Sequence, residues 1–178
     1  MNRRYFLGVA LGATAAPALA GISVTPSSQS RVLSFYHLHT DASIDAVYRI
    51  GNRYQLAGIQ KLNHFLRDFR TDESISMDPR LFDLIYDLKV SLGDPYARFD
   101  VISGYRSPTT NSMLRSASHG VAKNSLHLTG QAIDVRLPDL PLRRLREAAI
   151  ALNRGGVGYY RRADFVHLDT GDVRQWGA

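Results

Sequence analysis

Three side chains of this sequence are of the types that hold a hydrolytic metal. They are His127 in Ser125-Leu126-His127-Leu128, Asp134 in Ala132-Ile133-Asp134-Val135, and His167 in Phe165-Val166-His167-Leu168. Two imidazoles and one carboxylate bind zinc and leave one coordination position open for water. With only one carboxylate the ion keeps a net positive charge, which acidifies that water and polarises a peptide carbonyl. The competing reading is three unrelated polar residues at strand ends, and the spacing of His127 and Asp134 does not decide between the two. Alternation adds weight. Ile133 and Val135 point to one face of a strand and Asp134 to the other, and His167 stands opposite Val166 and Leu168. Each short extended segment therefore hides apolar residues on one side and aims a candidate ligand from the other. Gly130 allows the bend between His127 and the Asp134 strand.

The elements that must position these residues follow from periodicity. Strands are predicted over Val32–His39, Asp45–Ile50, Phe99–Ser103, Gln131–Leu137, Val157–Tyr160 and Phe165–Leu168, with Gly51-Asn52 turning into Arg53-Tyr54. Leu56, Ile59, Leu62, Phe65, Leu66 and Phe69 recur at helical spacing over Gln55–Phe69. Asp78-Pro79 caps and starts a second helix with Leu81, Leu84, Ile85 and Leu88 inside, stopped by Gly93. Ser107-Pro108 opens a short helix through Arg115, with Met113 and Leu114 read as core. A fourth helix spans Leu142–Asn153 and buries Leu145, Ala148, Ala149 and Leu152. The fold class is α+β: a small, largely antiparallel sheet with helices packed on one side.

No cysteine is present, so a metal site must use His and carboxylates. Residues 1–20 read as a cleavable export signal. Arg3-Arg4-Tyr5-Phe6-Leu7 resembles a twin-arginine signal, and Ala18-Leu19-Ala20 offers small residues for cleavage. A Sec signal or an uncleaved anchor is the alternative. Residues 21–30 form a linker, and 31–178 a single domain of ordinary size. No later stretch is long enough to span a bilayer, so no membrane span is expected after cleavage. Cleavage removes two of the 22 basic residues and none of the 16 acidic ones, so the net charge falls from +6 to +4. A mildly basic, periplasmic protein suits an anionic partner such as the cell wall. The scattered arginines, with no aromatic-basic stripe, argue against nucleic acid.

Five blocks occur in order: Ser103-Gly104-Tyr105-Arg106-Ser107, Gly120–His127, Gly130–Arg136, Gly155–Tyr160, and Phe165–Gly171 with Val173–Trp176. Together they resemble the murein endopeptidase K family. This family belongs to the D-alanyl-D-alanine carboxypeptidase-like zinc metallopeptidases, which share a fold with the hedgehog N-terminal domain. The resemblance implies one zinc per chain on His127, Asp134 and His167, and peptidoglycan peptide stems as the partner. It implies cleavage of peptide cross-links, with meso-diaminopimelate–meso-diaminopimelate bonds as the narrower choice. The rivals are a D-Ala-D-Ala carboxypeptidase, a D-Ala-diaminopimelate endopeptidase, and a non-catalytic peptidoglycan-binding module of the same fold.

Other roles are assigned one by one. The resemblance places Arg106 on the scissile carbonyl oxygen, where a guanidinium stabilises developing negative charge; the alternative is an arginine bracing the loop at Tyr105. Relatives often carry a general base three residues before the last ligand, which makes Asp164 a candidate. Its regular-strand facing is wrong for that role unless the strand starts at a bend. Asp169 shares the face of His167 and either orients that ligand or serves as the base. A metal-bound hydroxide needing neither is the third option. Ser125 binds substrate or caps its loop. His37 and His39 share a strand face; His39 is a candidate for the substrate groove, with a strand-end role or a second metal as alternatives. His64 is expected at the surface or in packing, and His119 in a loop without a fixed role. Trp176 is expected to pack over the His167 strand or to touch glycan.

Overall fold

The computed structural model describes residues 30–118 and 120–177. The export signal and all but the end of the linker lie outside the described residues, as does His119. Ser30, counted with the linker, already belongs to the first strand.

In chain order the elements are β1 (Ser30–His37), β2 (Ser43–Ile50), β3 (Arg53–Tyr54), α1 (Leu56–Phe65), α2 (Pro79–Ser91), β4 (Arg98–Ser103) and α3 (Pro108–Ala117). A 3-10 turn (Leu126–Thr129) follows, then β5 (Ala132–Arg136), α4 (Leu142–Ala151), β6 (Gly156–Tyr160), β7 (Phe165–Asp169) and β8 (Arg174–Trp176). The strands form one mixed sheet in the order β3-β2-β1-β4-β5-β7-β6-β8. Only β1–β4 and β6–β8 pair in parallel. The α+β expectation therefore holds, with a wider sheet than expected.

Alternation decides which face is covered. Leu33 and Phe35 of β1, Ala46 and Tyr48 of β2, Phe99 and Val101 of β4, Ile133 and Val135 of β5, and Val166 and Leu168 of β7 enter one core. Leu62 and Phe65 of α1, five apolar positions of α2 (Leu81, Phe82, Leu84, Ile85 and Leu88) and Leu145 and Ala149 of α4 close over it. Burial of these side chains is the main stabilising term.

Asp83 anchors α2 to the far edge of the sheet. Its buried carboxylate accepts from Tyr48 Oη at 2.9 Å, Arg49 Nη1 at 2.8 Å, Tyr54 Oη at 2.7 Å and Arg31 Nη1 at 3.3 Å. One turn later Asp87 holds Arg31 at 3.1 Å and Arg154, beyond α4, at 2.6 Å.

Three local expectations are corrected. Helix α1 stops at Phe65, not Phe69, because the chain leaves the helix at Leu66, where the Leu66 carbonyl accepts from the Tyr105 amide. Leu56, counted in its stripe, is exposed at the first turn. Met113 is exposed and Leu114 only half-buried: α3 docks through Thr110 and Asn111 near its capped start, leaving its later turns in solvent. Strand β8 was not foreseen.

Burial alone would raise the Asp83 carboxyl, but hydrogen bonds from Tyr54, Arg49 and Tyr48 outweigh it and hold the group below the ordinary value of 3.8. A carboxyl that titrates lower in the folded than in the unfolded chain contributes stability in full above the unfolded value and loses it as the pH falls through the folded one. Asp83→Asn is therefore expected to lower stability at pH 7, with the gap to wild type closing as the pH drops below about 4. Urea denaturation across that pH range measures it, and a constant gap contradicts the assignment.

Candidate metal centre

Register builds the centre before any side chain is considered. Ser103 pairs with Asp134, Asp134 with His167, His167 with Gly158, and Gly158 with Trp176. The five residues make one row across β4, β5, β7, β6 and β8, with Asp134 and His167 on the face away from the core. His127 arrives from a 3-10 turn rather than from an extended segment. Ser125 caps that turn, accepting from the His127 amide at 3.4 Å, and Gly130 ends it at φ +69°. This left-handed turn returns the chain directly into β5.

The three groups converge. His127 Nε2 lies 3.3 Å from Asp134 Oδ1 and 3.2 Å from His167 Nδ1, and His167 Nδ1 lies 2.9 Å from Asp134 Oδ1. Donor atoms around a tetrahedral zinc at ligand distances of about 2.05 Å sit about 3.3 Å apart. The triangle fits such an ion.

The outer partners of the two rings show which nitrogens face inward. His127 Nδ1 lies 2.6 Å from the Gly104 carbonyl, and His167 Nε2 lies 3.0 Å from Asp169 Oδ2. Both partners only accept, so in the neutral rings these nitrogens carry the protons. The inward nitrogens then present lone pairs, and with Asp134 Oδ1 three acceptors point at one spot. Burial holds the His127 imidazole below its ordinary value, despite the opposing pull of Asp134. Burial alone would raise the Asp134 carboxyl, but its polar surroundings, the Arg106 guanidinium on its outer oxygen among them, hold it below its ordinary value.

Each remaining candidate has a definite place. Arg106 donates from Nη2 to Asp134 Oδ2 and from Nε to Ser103 Oγ at 2.8 Å, and it lines the cavity over the centre. Asp169 is fully buried. It accepts from His167, from the amides of Gly156 and Gly171 at 2.9 Å each, and from Arg174 Nη1 and Nη2 at 3.1 and 2.7 Å. Asp164 lies in the β6–β7 turn at φ +56°, with its carboxylate on Arg136 Nη1 at 2.8 Å, and is not a lining residue of the cavity. His39 stacks on Phe69 with ring centroids 4.5 Å apart, outside the cavity lining. The strand expected to carry both histidines ends at His37, yet the two rings lie 5.9 Å apart and both pack against Phe69, with His37 buried there. His64 is exposed.

The cavity has a volume of about 900 Å³. One wall is lined by the uncharged residues Gly120, Val121, Ala122, Asn124, Ser125 and Leu126, with Lys123 exposed outside the lining; the other is Tyr160, Arg162, Phe165, Arg174 and Trp176. Trp176 packs 5.2 Å from the His167 ring and donates from Nε1 to Tyr160 Oη at 3.0 Å. It fits there because position 158 is glycine: a Cβ at Gly158 would lie 2.5 Å from the indole. The Gly104 carbonyl, Arg174, Tyr160 and Arg162 were not singled out from sequence. Gly104, Tyr160 and Arg174 stood in the motif blocks, but a backbone acceptor and side-chain pairs formed across a turn or between strands have no spacing signature.

A buried His-Asp-His triangle with oriented rings, lining a cavity, has the donor set of a metal site with room for water or substrate. A family model described as peptidoglycan L,D-endopeptidase MepK (Peptidase_M15_2) matches residues 25–176. The peptidoglycan L,D-endopeptidase MepK of Escherichia coli (strain K12) is 45% identical over 178 residues, covering 98% of this chain and 97% of that protein. The probable peptidoglycan L,D-endopeptidase MepK of Haemophilus influenzae is 39% identical, covering 98% of this chain and 95% of its own. The chain belongs to this family, as its sequence blocks implied.

Asp169→Asn keeps the shape of the group that orients His167 but removes its charge. It is expected to weaken zinc binding about 10- to 100-fold, measured by competition with a chromophoric chelator. Unchanged affinity in a folded variant contradicts the orienting role.

Proposed function

We propose that this protein is a zinc-dependent peptidoglycan endopeptidase that cleaves peptide cross-links. The observation that carries the reading is the convergence of three acceptors, His127 Nε2, Asp134 Oδ1 and His167 Nδ1, with both imidazoles held by outer acceptors. Family membership supplies the substrate class, since the relatives are named as peptidoglycan L,D-endopeptidases. Zinc is the favoured ion for two imidazoles and one carboxylate without thiolates. Bound there, zinc supplies Lewis acidity, activating water and polarising the scissile carbonyl.

The protein's own groups divide the remaining work. Arg106 holds Asp134 by its outer oxygen and presents a fixed positive charge to the cavity, where an oxyanion develops during acyl transfer. Asp169 positions His167 and is not the base, because its two oxygens already receive five donors. Asp164 is committed to Arg136 outside the cavity, so the geometry favours water activation without a separate carboxylate. Ser125 serves its turn as a cap and contributes a polar edge to the cavity.

The narrower choice is the diaminopimelate–diaminopimelate bond, in keeping with the L,D designation of the relatives. The site of action is extracytoplasmic, in the periplasm, with residues 1–20 as an export signal of the twin-arginine type. Among the described residues no helix is long and apolar enough to cross a membrane.

Purified protein is expected to split 3-3 cross-linked muropeptide dimers offered together with 4-3 dimers, read by mass spectrometry. His127→Ala, or removal of metal by a chelator, is expected to lower the rate more than about a thousandfold. Full hydrolysis by metal-stripped protein sinks the proposal, and binding of dimers without turnover moves it to a recognition module.

A further inference from the structure

The cavity is lined by three arginines, Arg106, Arg162 and Arg174, and by a single carboxylate, Asp134. Two of the three are already committed. Arg106 is paired with Asp134 and Arg174 with Asp169. Arg162 has no ion-pair partner among the described residues. The acid nearest to it in its own turn, Asp164, is spent on Arg136 at 2.8 Å. Arg162 is solvent-exposed, so water solvates its charge, but no acid among the described residues neutralises it, and it adds positive potential to a cavity whose floor would hold a divalent cation. It is also built for an anion, because its planar fork matches a carboxylate.

We propose that Arg162 is a specificity-determining residue that pairs with the free carboxylate on the substrate carbon bearing the scissile nitrogen. The proposal rests on the cross-link endopeptidase reading above. In a peptide cross-link made through a diaminopimelate side-chain amine, that amine and a free carboxylate share one carbon. This holds whether diaminopimelate or D-alanine donates the carbonyl. The substrate thus carries a negative charge next to the bond to be cut, and the β6–β7 turn, which leads into the strand of His167, carries an unpaired positive one. The lining residues between Gly120 and Leu126 are uncharged, with Lys123 of that stretch exposed outside the lining, so the free guanidinium within the lining lies on the β6–β7 side. That asymmetry orients the cross-link: the leaving-amine half lies against Arg162, and the acyl half against the neutral wall.

The test uses two synthetic cross-linked dimers, one with the free carboxylate and one with that group as a carboxamide. Zinc-loaded wild type is expected to favour the carboxylate dimer in kcat/KM by about tenfold, the worth of one charge-assisted pair. Arg162→Gln abolishes that preference by lowering kcat/KM on the carboxylate dimer alone. Arg162→Lys keeps part of it. Arg161→Gln, an exposed neighbour outside the cavity lining, leaves it intact. A second readout needs no turnover. Trp176 is the only tryptophan of the chain and stands in the same cavity wall, so its fluorescence reports occupancy. Cleaved stem peptide with the free carboxylate is expected to bind wild type about tenfold more tightly than Arg162→Gln, and the carboxamide peptide equally to both. Equal effects of Arg162→Gln on the two chemistries, in either readout, overturn the proposal. If wild type cleaves neither dimer, the hydrolase reading fails by itself, and the fluorescence titration still decides the role of Arg162.

Discussion

Two acceptors that lie behind the ligand triangle decide what the centre can bind: the Gly104 carbonyl behind His127 and the Asp169 carboxylate behind His167. Each takes the proton of its imidazole on the outer side, so the inner nitrogens have only lone pairs to offer. Remove either acceptor and the ring is free to turn or to exchange tautomers, and the triangle no longer presents three acceptors at once. Holding Asp169 buried costs desolvation, which the bidentate Arg174, two backbone amides and the His167 ring offset together. The centre is thus a shell of hydrogen bonds around a gap, with the gap sized by the sheet.

The sheet does two jobs with one alternation. Its apolar face receives α1, α2 and α4, and its other face carries the row from Ser103 to Trp176. A one-residue slip between β5 and β7 would send Asp134 or His167 into the core and a valine into the cavity. Core burial therefore also enforces ligand geometry. The polar hub on Asp83 lies at the β1–β2–β3 side, so the two clusters of buried charge occupy different parts of the sheet.

Much of this could be read from residue order, and the parts that could not share a cause. The facing of Asp134 and His167 follows from apolar neighbours on either side, which a period of two reveals. The helices starting at Asp78-Pro79 and Ser107-Pro108 follow from cap chemistry. The 3-10 turn around His127 was hidden, because Leu-His-Leu looks extended when only alternation is considered. Strand β8 is three residues long, below the length at which alternation carries information. The Asp83 hub was also hidden: its partners come from three strands, and an aspartate in a helix ordinarily marks the solvent side. The role of Asp169 was narrowed to two options by its position two residues after His167, and only the partners around it separate them.

The grip of Arg174 on Asp169 ties the ligand set to a lightly anchored strand. Among the described residues β8 lies at the sheet edge, with β6 as its sole neighbour. Short edge strands fray at a small fraction of the free energy of global unfolding. Each fraying event would let go of Asp169 and allow His167 to swivel while the core stays shut. Linkage carries the influence in the other direction too, since an occupant gripped by His167 would steady β8 and, with it, the indole wall. The rigidity of the substrate's berth is then set by whether the ion is home.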